Sequence, residues 1–211
     1  MAERHVQVVA TGASPAAIAA IESDLVICAD GGLDAVFAAG REAHVIVGDL
    51  DSASAAGLAG VADDVVIERA PQDKDETDLE LALATAVDRS AERLTVHLAA
   101  GGRLDHQLAN LVVLASPRWQ AAEITAYVGD ADRVFVVHGT RSIPLAVGDP
   151  FAIMPIGSPA VVTTRGVEWE LTAESLDPTA ARGISNQVVA AGPTVQVDGG
   201  AVLVLSSAQA T

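Results

Sequence analysis

The sequence predicts an α/β domain with a mainly parallel, doubly wound sheet, followed by an all-β sandwich. Three observations lead there. Strand-length apolar runs alternate with helix-period segments from the start to about residue 118. That alternation nearly vanishes after "SPRWQ" (116–120). In the first half, glycines and acidic residues gather where strands end, and open α/β sheets place their ligands there.

The elements follow in order. "VQVVATG" is a first strand from Val6 to Thr11. "SPAAIAAI" is a helix with Ser14 as N-cap and Pro15 at its first position, where a missing N–H costs nothing. "LVICAD" is a second strand ending at Asp30, and "GGLDAVFAAG" is a turn and short helix closing at Gly40. "HVIVGD" and "DVVIER" are the third and fourth strands. "ETDLELALATAVDRS" is the clearest helix. Leu79, Ala82, Leu83, Ala86 and Val87 share a face, and Thr77 with Glu80 forms a capping-box pattern. "LTVHLAA" is a fifth strand. After "GGR" comes another helix, with Leu108, Leu111, Val112 and Ala115 on one side. This half reads as Rossmann-like. From "ITAYVGD" onward, short apolar runs are broken by Gly, Pro, Asp and Ser, which gives the β half. The boundary falls near 119–126, and we divide the chain into 1–122 and 123–211.

Composition limits the partners. Among 211 residues, 12 Lys and Arg face 28 Asp and Glu, a net charge of −16. That argues against nucleic acid and against an anionic membrane surface. A polyphosphate ligand would then need cations to mediate its contact. Cys28 is the only cysteine, which excludes an internal disulfide and fits a reducing, cytoplasmic setting. The opening "MAERHVQVVA" lacks the apolar core of a signal peptide, and no run reaches the roughly 18 apolar residues of a membrane span.

Acidic groups mark the strand ends. Asp49 and Asp51 in "VIVGDLDSAS" lie close together whether the segment is extended or turned. Without a cation they repel, and one would keep its proton. Mg²⁺ takes such hard oxygen ligands together with phosphate oxygens. The pair can equally cap a turn, and alone it does not decide. Asp30 precedes Gly31-Gly32 at another strand end. "DKDETD" adds Asp73, Asp75 and Asp78. The helix dipole by itself explains Asp78, and Lys74 can neutralise a neighbour or reach a phosphate. In "GGRLDHQLAN", Gly101 and Gly102 allow close backbone approach, the helix start offers N–H groups, and Arg103 suits phosphate. A plain glycine turn capped by Asp105 explains the glycines but not Arg103 and His106 together. No G-x-G-x-x-G, P-loop or G-x-S-x-G pattern is present. His5, His44, His97 and His138 lack metal-ligand spacing and read as structural, and Cys28 reads as core. From the residues alone, Trp169 reads as a core side chain in a strand.

Taken in order, "ADGG", "GDLDS", "DKDETD", "GGRLDHQLAN", Trp169 and "GISNQ" (183–187) resemble the thiamine pyrophosphokinase family over nearly the whole chain. The resemblance implies transfer of a pyrophosphoryl group from ATP to the hydroxyl of thiamine, with Mg²⁺, in a homodimer with interface active sites. It makes 1–122 the ATP and metal domain and 123–211 the thiamine domain. It assigns Asp49, Asp51, Asp75 and Asp78 to the metal. Asp30, Gly31, Gly32, Ser52, Lys74, Thr77, Gly102, His106 and Asn110 join Asp49 in binding ATP. Asp51, Asp78, Arg103 and Asp105 carry the chemistry, while Trp169, Ser185 and Asn186 take thiamine. Leu50 stands where many members have Phe, and Gln187 where an acidic residue is frequent. Thiamine is a flat cation, which suits a Trp face and an acidic protein. Two rival readings use the same carboxylates: a Mg²⁺-dependent pyrophosphohydrolase, and a thiamine or nucleotide sensor without turnover.

Overall fold

The computed structural model describes residues 4–71 and 73–207. The chain forms two compact units: residues up to Asn110 with Ala121–Asp130, and Leu111–Gln120 with residues from Ala131 onward.

The first unit contains β1 (His5–Val9), α1 (Pro15–Ala19), β2 (Leu25–Ala29), α2 (Gly32–Ala38), β3 (Val45–Gly48), α3 (Ala55–Ala59), β4 (Val66–Arg69), α4 (Asp78–Asp88), β5 (Arg93–Leu98) and β6 (Glu123–Val128). The division between units falls within α5 (Leu104–Leu114). The six strands are parallel, in the order β6-β5-β1-β2-β3-β4. Central strands carry unbroken buried runs, as a parallel sheet covered on both faces requires. Val9, Val26, Cys28 and Ile46 pack with Ile18, Leu33 and Val36 in one apolar cluster. The alternate residues Val8, Ile27, Val45 and Val47 are also buried, and α4 packs on β1, β2 and β3. Cys28 is fully buried, and burial pushes its thiol up to about 12, so it is a core side chain.

The helix starts are as expected. The Ser14 side chain accepts from the Ala17 N–H with Pro15 following. Thr77 and Glu80 form a complete capping box. Helix α3 gave no readable period, because five residues containing Gly57 are too short for one. Helix α5 leaves much of its apolar side uncovered. Leu108 and Val112 are 56% and 55% exposed, and Leu104 is exposed beside them. Leu114 is its only fully buried residue. Periodicity locates an apolar stripe but not what covers it. Strand β6, whose run resembles those of the β half, pairs in parallel with β5.

The second unit holds β7 (Asp132–Val137), β8 (Thr140–Ser142), β9 (Pro150–Ile156), β10 (Ala160–Arg165), β11 (Glu174–Leu176), β12 (Asn186–Gln187), β13 (Thr194–Asp198) and β14 (Ala201–Ser207). They pair antiparallel in two groups, β12-β9-β14-β7 and β11-β10-β13-β8. One apolar cluster draws Phe135, Phe151, Ile153 and Val204 from the first group and Val162, Leu176, Val195 and Val197 from the second. Among the described residues no helix is long and apolar enough to cross a membrane.

A polar ladder crosses the buried face of β1, β5 and β6. His5 Nε2 meets Thr95 Oγ1 at 2.8 Å, and His97 Nε2 meets Gln7 Oε1 at 2.7 Å. The Gln7 amide also donates to Ile21 O and Ser23 Oγ, which fixes its oxygen as the acceptor for His97. His97 therefore carries its proton on Nε2, and its Nδ1 is buried without a partner. The ring stacks on Tyr127 at 5.6 Å. Burial, with nearby His5 adding to it, lowers His97 to about 4, and burial lowers His5 as well. Unfolded histidines titrate near ~6.5. Between those values the unfolded chain binds the extra proton. Stability is therefore full above about pH 6.5 and falls with acid by ~1.4 kcal/mol per pH unit for His97. Urea midpoints should decline from pH 7 to pH 4.5, and His97→Gln should flatten that decline. An equal slope in the variant would place the acid sensitivity elsewhere.

Candidate active site

The carboxyl ends of β1, β2, β3 and β5 surround a cleft of about 570 Å³ in the first unit. Parallel strands all end on one side, and the segments leaving them form its walls.

The turn after β2 sets the geometry. Asp30 has φ 47°, a left-handed conformation, and its side chain lies almost wholly inside. Gly31 and Gly32 follow because nothing larger fits. A Cβ on Gly32 would lie 2.0 Å from Val9 O, and one on Gly31 would lie 2.8 Å from Ser52 O. These two glycines do not line the cleft; they let α2 start against β1.

The segment after β3 brings in the acidic pair. Asp49 Oδ1 accepts the Asp51 N–H at 3.2 Å, and Ser52 Oγ donates to Asp51 Oδ1 at 2.9 Å. Carboxylate oxygens of Asp30, Asp49 and Asp51 lie within 4.8 Å of one another. Asp30 Oδ1 is buried without a hydrogen-bond partner. Ligands about 2.1 Å from an octahedral Mg²⁺ lie at most ~4.2 Å apart, so small side-chain rotations fit the three carboxylates to that ion. An orphaned buried carboxylate oxygen beside two others is a donor set for a hard cation.

Other segments of the cleft supply cationic and helix-terminal groups. Lys74 Nζ pairs with Asp78 Oδ1 at 2.6 Å, and both line the cleft with Thr77. The Thr77 hydroxyl caps α4 by accepting the Glu80 N–H. Gly101 and Gly102, both with φ near 81°, carry the chain to Arg103 and α5. Arg103 grips Asp105 through two bonds, Nε at 3.1 Å and Nη2 at 2.6 Å. The Arg103 hydrogen bond comes first among the causes that hold the Asp105 carboxyl down at about 2. Arg103, His106 and Asn110 face the cleft, whereas Asp105 does not line it.

Asp30, Asp49, Asp51, Ser52, Lys74, Thr77, Asp78, Gly102, Arg103, His106 and Asn110 thus share one cleft. Asp75 is exposed and not part of its lining. Asp30, expected at the nucleotide, lines the cleft and sits with the acidic pair, and the three-carboxylate group among the described residues does not include Asp75 or Asp78. Thr11, Glu76 and Gln107 also line the cleft and were not anticipated. Thr11 lies in the turn just after the central parallel strand β1, which was the available signal.

In the second unit, Asn186 holds the backbone of Trp169 from both sides. Its Oδ1 accepts the Trp169 N–H at 3.1 Å, and its Nδ2 donates to Trp169 O at 2.9 Å. Trp169 is 60% exposed, which overturns its reading as a core residue. Trp119 is the buried one, with Nε1 donating to Val113 O. Ser185, at φ 60°, precedes Asn186 and gives the turn that aims it.

Two family models match the chain. The thiamin pyrophosphokinase catalytic domain covers residues 19–134, and the thiamin pyrophosphokinase vitamin B1 binding domain covers 142–202. Comparison with curated protein sequences gives no match. Solved structures are similar over the full length. Thiamine pyrophosphokinase from Bacillus subtilis superposes with TM-score 0.85 at 20% identity, over 98% of this chain and 100% of that one. A thiamin pyrophosphokinase family protein from Enterococcus faecalis gives 0.76 at 25% identity, over 99% and 100%. Yeast thiamin pyrophosphokinase gives 0.74 at 15% identity, over 98% and 87%. With the catalytic-domain model alone spanning more than half of its residues, the chain belongs to the thiamin pyrophosphokinase family.

Proposed function

We propose that this protein transfers the pyrophosphoryl group of ATP to the hydroxyl of thiamine, giving thiamine diphosphate and AMP. The observation that carries this reading is the convergence of Asp30, Asp49 and Asp51 in one cleft that Lys74 and Arg103 also line. Polyphosphate binding by a chain of charge −16 needs that combination.

Asp30, Asp49 and Asp51 would hold Mg²⁺, with Asp78 in the same cleft to complete the shell. When bound, the ion neutralises phosphate charge and makes the β-phosphorus more open to attack. Lys74, Ser52, Thr77, Gly102, His106 and Asn110 position the nucleotide, while Gly31 and Gly32 shape the turn beneath it. Arg103 exchanges part of its Asp105 contact for a phosphate. Trp169 stacks on the cationic ring system of thiamine, its backbone held by Asn186, and Ser185 and Asn186 join it in binding that substrate. The thiamine hydroxyl attacks the β-phosphorus in line, its proton passing to Asp51 or Asp78, and AMP leaves. Positioning and charge neutralisation supply most of the acceleration.

We assign the nucleotide role to residues 1–122, in a Rossmann-like, doubly wound arrangement that β6 also joins, and the thiamine role to a β sandwich within 123–211. The lone Cys28 supports a cytoplasmic setting. The assembly we favour is a homodimer with active sites at the subunit interface. Leu104, Leu108 and Val112 support it, since they form an exposed apolar stripe one helical turn apart at each step.

The deciding test mixes the protein with ATP, Mg²⁺ and thiamine and counts products. Equal AMP and thiamine diphosphate, abolished by chelation, is the expected result. AMP without thiamine diphosphate would indicate a hydrolase, and binding without turnover a sensor. Asp51→Asn should lower kcat by at least a hundredfold while the unfolding midpoint stays within a few degrees. An unchanged kcat would remove Asp51 from the site. Leu108→Glu should shift the mass measured by light scattering from dimer to monomer. A dimer that persists would move the interface off α5.

A further inference from the structure

The acidic pair is separated by a residue that the chemistry does not use. Leu50 has φ 67°, a conformation uncommon for a residue with a Cβ. It is nonetheless only 8% exposed, packed in the cluster that contains Cys28, Leu33, Val36 and Ile46. Its neighbours point the other way: Asp49 is half-buried and Asp51 exposed, both on the cleft. The left-handed turn at Leu50 brings the Asp51 N–H back onto Asp49 Oδ1. A second tie holds the far end of the same segment. Asp34 on α2 accepts from Ser54 N at 3.2 Å and Ser54 Oγ at 2.6 Å.

An unfavourable backbone state persists only where the surroundings over-determine it. Here the determinant is the buried leucine side chain. We infer that Leu50 is the positioning residue of the acidic site: its anchorage in the core beneath α2 holds residues 49–51 in the left-handed turn, so that the carboxylates are gathered before any cation arrives. Cation affinity is then set by an apolar side chain that never touches the ion. The inference rests on the divalent-cation reading of Asp30, Asp49 and Asp51 given above.

The test reads binding of Mn²⁺ alone, without nucleotide or thiamine, by calorimetry on the full chain. Leu50→Ala keeps the Cβ and loses the anchor. Leu50→Val keeps most of the apolar volume, so the fold survives, but its β-branch disfavours a positive φ. Both should weaken Mn²⁺ binding tenfold or more. Leu50→Met, similar in volume and unbranched, should restore affinity to within about threefold of the parent. Ile18→Ala, a cavity in the same cluster but on α1, should lower the unfolding midpoint without changing Mn²⁺ affinity. Unchanged affinity in Leu50→Val, or equal weakening by Ile18→Ala, would overturn the positioning role. Absence of Mn²⁺ binding to the parent protein would overturn the cation reading itself and the inference with it.

Discussion

Three carboxylates with oxygens inside 4.8 Å repel one another, and much of the first unit is arranged to hold them there. Asp30 is fixed by a turn whose glycines pack against the end of β1. Asp49 and Asp51 are fixed by a buried leucine between them and by the Asp34–Ser54 tie beyond them. The leucine and the glycines act by packing, and the Asp34–Ser54 tie uses a carboxylate outside the three. The strain sits at Asp30 and Leu50, both non-glycine residues in left-handed conformations at the cleft. The parallel sheet beneath supplies the rigidity, since its central strands are buried along their whole length.

The cationic groups of the cleft have carboxylate partners of their own. Lys74 is paired with Asp78, and Arg103 with Asp105. Both Arg103 and Asp105 are well exposed, and exposed pairs are weak enough to be exchanged for a phosphate at little cost. The cleft can therefore stay organised without ligand and still yield its cations to one. Trp169 follows the same logic by a different means. Its exposed ring is unrestrained by packing, and its backbone is held instead by both ends of the Asn186 amide.

What could be read from the sequence was whatever is decided within a few residues. Ser14–Pro15 and Thr77–Glu80 are local capping chemistry, and both helix starts are where they signalled. The strand-end acids were legible because a parallel sheet sends all its carboxyl ends to one side. Decisions made by distant partners were not legible. Nothing around Asp30 shows that it lies against Asp49 and Asp51 across β2 and β3. Nothing in "GVEWE" shows that the tryptophan faces outward, because the amide that holds it lies 17 residues away. Leu50 looked like a spacer between two acids; its backbone angle, not its type, reveals the anchor.

Helix α5 shows most plainly why period alone misleads. At about 100° per residue, Arg103, His106, Gln107 and Asn110 fall on one face and Leu104, Leu108 and Val112 on another. The first face lines the cleft and the second is exposed. A helix with one apolar stripe is normally assumed to bury it in its own domain. Here the side that serves the site is polar, so the stripe is left outward. The two faces of α5 thus do different things, one lining the cleft and the other meeting solvent.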